Sequence, residues 1–189
     1  TLFRSGRERF EPGNPQEGYS PSPQERQSWL QISYMKEAYH TMGPKFTLGW
    51  MAEALYSSKN FSENYTATMM QAGEFAPTPH SKLMYNEAFR ANQYVAAGIK
   101  PIYVLNDMFQ FRTEFYGFTP IFPIKKNALN KAYYGKAFSR FEYMGEVSVI
   151  CHLPFGAISA YVNHYSSPRR EWNVGMTIGW QLFNYRFVE

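Results

Sequence analysis

The chain has 189 residues, which is enough for one domain of ordinary size. Its 19 basic and 15 acidic residues give a net charge of +4, and no block of Lys and Arg marks a nucleic-acid-binding protein. The 16 Phe, 15 Tyr and 4 Trp residues are far more than a disordered chain contains. The single cysteine, Cys151, excludes an internal disulfide and a zinc site built from cysteines. No run of the sequence approaches the ~18 apolar residues of a transmembrane helix.

Residues 1–27 are rich in Pro and Gly, and they predict a loop or the end of a preceding strand. The first residue, Thr1, is not an initiator Met, and we expect the chain to be a fragment of a longer protein. Residues 28–189 carry strand patterns throughout. They are interrupted by a long loop predicted near residues 73–83, where Pro77 and Pro79 stand close together.

The strand pattern is clearest in residues 172–183, where the even-numbered positions are all apolar and the odd-numbered ones mostly small or polar. Because a strand sends successive side chains to opposite faces, this alternation predicts a strand with one apolar face. The same period recurs along the chain. Clear strands are predicted at residues 45–57, 87–99, 108–118, 137–153 and 172–183, and weaker ones at residues 28–40, 61–70 and 157–166. The sequence therefore predicts about eight strands.

Alternation alone does not say which solvent the apolar face meets, because a soluble β-barrel or sandwich alternates as well. Most of the predicted strands have about 10 to 14 residues, against ~5–6 in soluble sheets and ~9–11 for a tilted strand that crosses a bilayer. Arg and Glu occur in mid-strand on the polar faces. Trp172 and Trp180 stand towards the ends of one apolar face, as in the aromatic girdles of membrane barrels. These features favour an all-β fold, namely an antiparallel transmembrane β-barrel segment of about eight strands.

The charged residues of the polar faces are the candidate functional residues. They would line the interior of a barrel, where opposite charges pair and plug or gate the lumen, or they would form a solvated face that blocks mispairing of strands. The pattern leaves both interpretations open. The six candidates for a lumen charge ladder are Arg90, Arg112, Glu114, Arg140, Glu142 and Glu146.

No catalytic, cofactor-binding or metal-binding residue is predicted. The string Gly175-Met176-Thr177-Ile178-Gly179 has the spacing of a serine-hydrolase elbow, but Thr177 falls in mid-strand rather than at a strand-to-helix turn. His80 and Ser81 are adjacent, and adjacent side chains seldom meet as base and nucleophile. The four histidines lack the spacing of metal ligands. We therefore expect no cofactor and no metal.

Four segments of the chain carry a family resemblance. They are FAPTPHSK (residues 75–82), AFRANQYVAAGI (88–99), FRTEFYGF (111–118) and GWQLF (179–183). Together they resemble the C-terminal barrel region of bacterial patatin-like phospholipases. In those outer-membrane proteins a secreted α/β lipid hydrolase domain precedes a barrel of the bacterial surface antigen superfamily. The resemblance extends over most of the chain from about Trp29 onward.

The resemblance implies that these strands are the C-terminal half of a sixteen-stranded barrel in the bacterial outer membrane. It also implies that this segment is not catalytic itself but anchors or presents a patatin-like lipid acyl hydrolase domain, whose Ser–Asp dyad lies upstream of Thr1. The expected partners are then the lipid bilayer and the upstream hydrolase domain of the same polypeptide. The Val/Ile-Arg-Gly-Phe/Tyr loop motif of the superfamily is absent, which argues against an insertase or a secretion pore.

Two alternatives remain open at the level of the sequence. The first is a barrel of the same superfamily that transports or secretes, which a wide polar lumen without a plug would favour. The second is a soluble β-barrel that binds an apolar ligand, whose apolar faces would point inward. Nucleic acid is not an expected partner, and the pattern does not decide whether the protein forms a homo-oligomer.

Overall fold

The computed structural model of the chain describes residues 1–8, 27–62, 64–154, 156–167 and 172–180. Its elements in chain order are β1 (Leu2–Glu8), β2 (Gln27–Thr41), β3 (Phe46–Ser57), α1 (Tyr65–Gln71), β4 (Gly73–Glu74), β5 (Arg90–Ala91), β6 (Gln93–Val104), β7 (Phe109–Pro120), β8 (Ile124–Lys126), β9 (Ala132–Tyr134), β10 (Glu142–Leu153), β11 (Gly156–Tyr165) and β12 (Trp172–Trp180). Short 3₁₀ turns occur at Ser81–Leu83 and Glu87–Phe89. Within the described ranges, no helix is long and apolar enough to cross a bilayer.

Eight of the strands form one antiparallel sheet in the order β1-β2-β3-β6-β7-β10-β11-β12. The short strands β4 and β5 pair with each other, as do β8 and β9, and both pairs lie in connections between strands of the large sheet. Among the described residues, β1 and β12 each pair with one neighbour and not with each other. The prediction of an antiparallel all-β fold is thus confirmed at the level of one eight-stranded sheet.

The connections at the two ends of the sheet differ in length. At one edge, which we call the short-turn end, consecutive strands are separated only by residues 42–45, 105–108 and 154–155. At the opposite edge, the long-connection end, the strands are separated by residues 9–26, 58–92, 121–141 and 166–171. Transmembrane β-barrels show this asymmetry, with short turns on one side of the membrane and longer loops on the other.

Most predicted strands match observed ones closely. The strands predicted at 28–40, 45–57, 108–118 and 157–166 fall on β2, β3, β7 and β11, and each boundary agrees within two residues. The strand predicted at 172–183 falls on β12 as far as Trp180, and its last three residues lie outside the described ranges. The strand predicted at 137–153 is wrong at its start, because β10 begins only at Glu142.

The strand predicted at residues 61–70 is also wrong, because this segment contains α1. The side chain of Asn64 caps the helix by accepting a hydrogen bond from the backbone N–H of Ala67 (2.8 Å). Such a cap satisfies one of the free N–H groups at a helix start. Thr68 and Met69 of the short helix are buried. Capping and packing together outweigh the weak alternation of this segment.

The strand predicted at residues 87–99 is displaced in the structure. Its first part forms a 3₁₀ turn, in which the Asn86 side chain accepts a hydrogen bond from the N–H of Ala88 (3.0 Å). The long strand β6 begins at Gln93 and continues past Pro101 to Val104. Pro101 still pairs in register with β3, whereas the pairing with β7 is interrupted there. A proline can occupy a strand in this way because the N–H that it lacks would point to only one of the two neighbouring strands. Pairing with the other neighbour is therefore unaffected.

One face of the large sheet is covered by the connection formed by residues 58–92. Phe75, in the middle of this connection, packs against Tyr94, Tyr116 and Phe118, with ring centroids 5.8–6.2 Å apart. The buried cluster comprises Met51, Leu55, Phe75, Ala88, Phe89, Ala91, Tyr94, Ala96, Tyr116, Phe118, Met144 and Tyr165. We call this side of the sheet the covered face and the opposite side the open face.

Aromatic side chains lie across glycines of the neighbouring strands. Five such pairs are direct partners in the strand register: Gly6 with Trp29, Gly49 with Tyr39, Gly98 with Tyr116, Gly145 with Phe115 and Gly175 with Tyr161. A ring laid over a glycine covers backbone that has no side chain of its own, and it helps to fix the strand register. Gly98 is the most crowded of them, since a Cβ there would meet the ring of Tyr116 and lie 2.7 Å from the backbone oxygen of Phe115.

We expect Gly98→Ala to lower the free energy of unfolding by about 1–3 kcal/mol, because the added methyl group overpacks the contact with Tyr116. Gly43→Ala is the matched control, since a Cβ at Gly43 meets no atom within 4 Å. That control should be neutral or stabilising by up to ~1 kcal/mol. Urea unfolding in detergent, followed by tryptophan fluorescence, measures both variants. Equal stabilities for the two would contradict the close packing at Gly98.

Candidate functional site

All charged residues of six neighbouring strands lie on one face of the sheet. Strand alternation and register place Glu53, Lys100, Arg112, Glu114, Glu142 and Glu146 on the covered face, and these are all the Asp, Glu, Lys and Arg residues of β3, β6, β7, β10, β11 and β12. The open face of the same strands carries none. A soluble sheet places its charges in the opposite way, towards water and away from the packed side.

The open face is apolar and uncovered. On β12 the side chains of Trp172, Val174, Met176 and Ile178 are 60–79% exposed. Val95 and Ile99 on β6, Phe115 on β7, and Val147 and Val149 on β10 are exposed in the same way. A contiguous apolar surface of this extent is unusual for a soluble monomer and marks contact with a partner or a membrane.

Most tyrosines and tryptophans of the open face lie towards the strand ends, and Tyr34, in the middle of β2, is an exception. Tyr56, Tyr143 and Trp172 are near the long-connection end, and the ring of Trp172 stacks on His164 with centroids 4.7 Å apart. Trp50 and Tyr103 are near the short-turn end. These side chains combine an apolar ring with a polar group, which suits the boundary between water and an apolar phase.

The charges of the covered face form ion pairs both within a strand and between strands. Arg112 and Glu114 are neighbours on β7, with Nε of Arg112 2.6 Å from Oε1 of Glu114. The ammonium group of Lys100 on β6 lies 2.5 Å from Oε1 of Glu37 on β2. The hydroxyl of Tyr116 also donates to Glu114. Since Glu114 is only 2% exposed, the contacts with Arg112 and Tyr116 are what make the burial of its carboxyl group tolerable.

Glu146 lies beside this group as a second buried carboxylate. It is the direct register partner of Glu114 on one side and of Asn163 on the other. Two carboxylates opposite each other destabilise a sheet unless a cation is shared between them. Arg112 is the cation of this neighbourhood. The residues Glu37, Lys100, Arg112, Glu114, Glu146 and Asn163 thus form a polar band across β2, β6, β7, β10 and β11.

Arg90 and Arg140 hold the covering connection in place instead of joining the polar band. Arg90 pairs with Glu74 (2.5 Å) across β4 and β5, and it donates to backbone carbonyls at the end of α1, including that of Met70 (3.2 Å). Arg140 precedes β10 and donates to the carbonyl of Ala88 (2.8 Å). Each guanidinium therefore satisfies backbone groups that the fold of residues 58–92 leaves without helix or sheet partners.

The six residues of the predicted charge ladder therefore occupy two places. Arg112, Glu114, Glu142 and Glu146 lie on strands of the large sheet, on its covered face, whereas Arg90 and Arg140 lie in connections. Arg140 is still close to Glu142, at 3.7 Å between Nε and Oε1. Sequence reasoning missed Lys100, because the predicted strand ends at Ile99, and it missed Glu37, which stands in a weakly alternating strand. It also missed the bond from the Tyr94 hydroxyl to Glu53 (2.6 Å).

His80 lies in the covering connection and faces the sheet. Its Nδ1 is 2.9 Å from the hydroxyl of Tyr165, and its ring lies near that of Tyr161. Burial lowers the pKa of His80, which keeps the imidazole neutral at pH 7. Ser81, its neighbour, turns instead to Thr78, whose carbonyl accepts a hydrogen bond from the serine hydroxyl (2.8 Å). The pair is therefore not arranged as a base and a nucleophile.

The remaining chemical groups lack the geometry of a catalytic or metal site. Thr177 lies in the middle of β12, as expected from the alternation, and not at a turn that would expose a nucleophile. Among the described residues, no group of three or more His, Cys, Asp or Glu side chains could hold a metal ion. Cys151 is a free, partly buried thiol on the open face. The chemistry of this part of the chain is thus that of paired charges under a covering segment.

Comparisons with protein-family models, with curated proteins and with solved structures found no match.

We expect Arg112→Gln to destabilise the protein by about 3–5 kcal/mol, because it removes the ion-pair partner of the buried Glu114, which lies opposite Glu146. Arg4→Gln is the control, since Arg4 is exposed on the edge strand β1, and its cost should stay below ~0.5 kcal/mol. The double variant Arg112→Gln/Glu114→Gln should recover part of the loss, which a double-mutant cycle of unfolding free energies measures. Additive effects in that cycle would contradict the coupling of these residues.

Proposed function

We propose that this chain is the membrane-embedded, C-terminal part of a bacterial outer-membrane β-barrel. The observation that carries the proposal is the inverted sheet, in which the open face of six strands has no charged residue while the covered face carries six. In a bilayer the first face would meet lipid and the second would line the barrel interior, where every charge has polar neighbours. The eight strands would then be half of a sixteen-stranded wall.

Strand length and end structure support the same proposal. The seven strands from β2 onward in the large sheet have 9–15 residues, enough to cross the hydrocarbon core at a tilt. Short turns at one end and long connections at the other match the topology of outer-membrane barrels, as do the Tyr and Trp residues near both ends of the open face.

The role proposed for the barrel comes from the sequence resemblance to patatin-like phospholipases. The chain would anchor a lipid acyl hydrolase domain, located upstream in the same polypeptide, and present it at the outer membrane. The chain itself would be non-catalytic. A barrel in this role has to hold its place in the bilayer and keep it sealed. The covering segment 58–92, packed through Phe75 and Phe89 and tied by Arg90 and Arg140, fits that requirement.

The two alternatives are less well supported by the geometry. A transport or secretion barrel needs a passage, and residues 58–92 pack directly on the covered face where that passage would run. A soluble barrel with an apolar ligand needs its apolar faces inward, whereas Val174, Met176 and Ile178 are exposed. The soluble alternative would require the two faces of the sheet to exchange surroundings, and the transport alternative would require the covering segment to leave the covered face.

Spin labels on adjacent residues of β12 test the membrane placement. Met176 lies on the open face and Thr177 on the other, and both are exposed, so that labels at either site should be tolerated. In vesicles, with Cys151 replaced by Ser, we expect the label at Met176→Cys to collide with oxygen and to be shielded from a water-soluble nickel chelate. The label at Thr177→Cys should show the reverse preference. Free access of the chelate to both positions would contradict a bilayer-facing sheet.

The intact mass of the native polypeptide tests the anchoring role. It should be measured on the detergent-extracted membrane fraction of cells that make this sequence. We expect a mass well above the 22.0 kDa of this chain, together with a serine elbow in the upstream part. A mass near 22.0 kDa in the aqueous fraction would overturn both the anchoring role and the membrane placement.

A further inference from the structure

We propose that residues 121–141, here called the basic hairpin, hold the phosphate headgroup of an anionic membrane phospholipid, whose acyl chain lies in an apolar groove on the open face below. This inference rests on the proposed function, because that function places lipid against the open face. It adds a binding surface and the chemical class of its ligand.

The basic hairpin concentrates positive charge. It contains Lys125, Lys126, Lys131, Lys136 and Arg140 and no acidic residue, so its charge of +5 exceeds the +4 of the whole chain. The connection formed by residues 58–92 is balanced by comparison. It contains three basic and three acidic residues, namely Lys59, Lys82 and Arg90 against Glu63, Glu74 and Glu87. The excess positive charge is therefore a property of the hairpin and not of the covering connection beside it.

The fold of the hairpin keeps its lysines outward. Strands β8 and β9 pair in register, and Ile124 is buried against Met69 and Ala72 of the α1 region. The backbone N–H of Tyr65 donates to the carbonyl of Asn130 (2.8 Å), which fixes the turn of the hairpin to the start of α1. With the apolar side anchored, the four lysine side chains are exposed.

These lysines have no carboxylate partners in the described part of the chain. The ion pairs there involve Arg90, Lys100, Arg112 and Arg140 instead. Lys126 has one weak contact, at 6.0 Å from the ring centroid of Tyr65. Unpaired lysines grouped on one element attract anionic headgroups, and the attraction grows with each added cation.

Aromatic side chains lead from the basic hairpin to the open face. Phe138 is 62% exposed and adopts a left-handed backbone conformation (φ 50°), which is held by the hydrogen bond from its N–H to the carbonyl of Ile121 (2.9 Å). A left-handed conformation raises the free energy of the folded state for a bulky residue, and such strained residues are often found at functional sites. Phe141 follows on the open face, where its ring covers Gly117. Both rings stand where the headgroup region of a bilayer would meet its apolar interior.

A shallow groove continues this path on the open face. Its lining includes Ile99, Phe115, Gly117, Phe141 and Tyr143. The groove is almost wholly apolar, so it suits an acyl chain rather than an acidic peptide or a free phosphate ion. The positive charge and the apolar groove are at the same end of the sheet. Together they match a single molecule that has a phosphate headgroup and a hydrocarbon tail.

Photo-crosslinking tests this assignment in the full-length native polypeptide. The substitution Phe138→p-benzoylphenylalanine places the probe beside the lysines, and Phe109→p-benzoylphenylalanine places the control on the open face at the short-turn end. Both proteins are reconstituted into vesicles of equimolar phosphatidylcholine and phosphatidylglycerol, irradiated and analysed by mass spectrometry. At Phe138 we expect phosphatidylglycerol adducts to exceed phosphatidylcholine adducts by about threefold or more, and at Phe109 a ratio near one.

The lysine dependence gives the second arm of the experiment. The variant K125Q/K126Q/K131Q/K136Q should bring the adduct ratio at Phe138 close to one, whereas K45Q, a change of an exposed lysine in a short turn, should leave it unchanged. Two outcomes would overturn this inference without affecting the proposed membrane barrel. In both, lipid adducts form at Phe109, while at Phe138 either no lipid adduct forms or the ratio of the two lipids is near one. No lipid adduct at either position would overturn the proposed membrane placement itself.

Discussion

Six charged side chains of the strands from β3 to β12 in the large sheet point to the covered face, and this placement links register, packing and surroundings. Arg112, Glu114 and Glu146 come from two strands and meet only in the observed register. Because the side-chain period of a strand is two, a slip of one residue would carry these charges to the open face. The polar band therefore specifies the register more sharply than apolar residues would, since apolar side chains tolerate exchange among themselves.

The connection formed by residues 58–92 makes this arrangement tolerable. A charged sheet face would normally be left to water, yet here Glu114 and Glu146 are buried. The connection contributes Phe75 and Phe89 to a stacked aromatic cluster, and the guanidinium groups of Arg90 and Arg140 bind its free carbonyls. Covering segment and sheet thus stabilise each other. The segment has little regular structure of its own, and the sheet face keeps Lys100, Arg112 and Glu114 in ion pairs beneath it.

Much of the sheet could be predicted from the sequence, because only a strand gives alternation with period two over ten or more residues. The covering segment could not be predicted in the same way. Its helix depends on a single cap, Asn64, and its contacts join residues far apart in sequence, such as His80 and Tyr165. Arg90 shows the difference most clearly. Alternation predicts it on the polar face of a strand at residues 87–99, whereas the turn capped by Asn86 removes it from the sheet and brings it to the end of α1. Lys100 was missed for a related reason, since Pro101 looks like the end of a strand that in fact continues beside β3.

The two edge strands of the sheet, like its two faces, restrict the environment in which the sheet can be stable. In the described residues β1 and β12 pair on one side only, and β2 runs beyond β1 from Tyr34 to Thr41. Unpaired strand edges recruit other chains in water, and in hydrocarbon they are excluded because each free N–H and C=O costs several kcal/mol. A sheet with the open face seen here can therefore be stable in a bilayer only if further strands close it. Eight strands of this length, with an interior filled by a covering segment, are consistent with one half of such a closed wall. In the arrangement that we propose, the polar band would face the lumen, and the edges would become ordinary strand pairs.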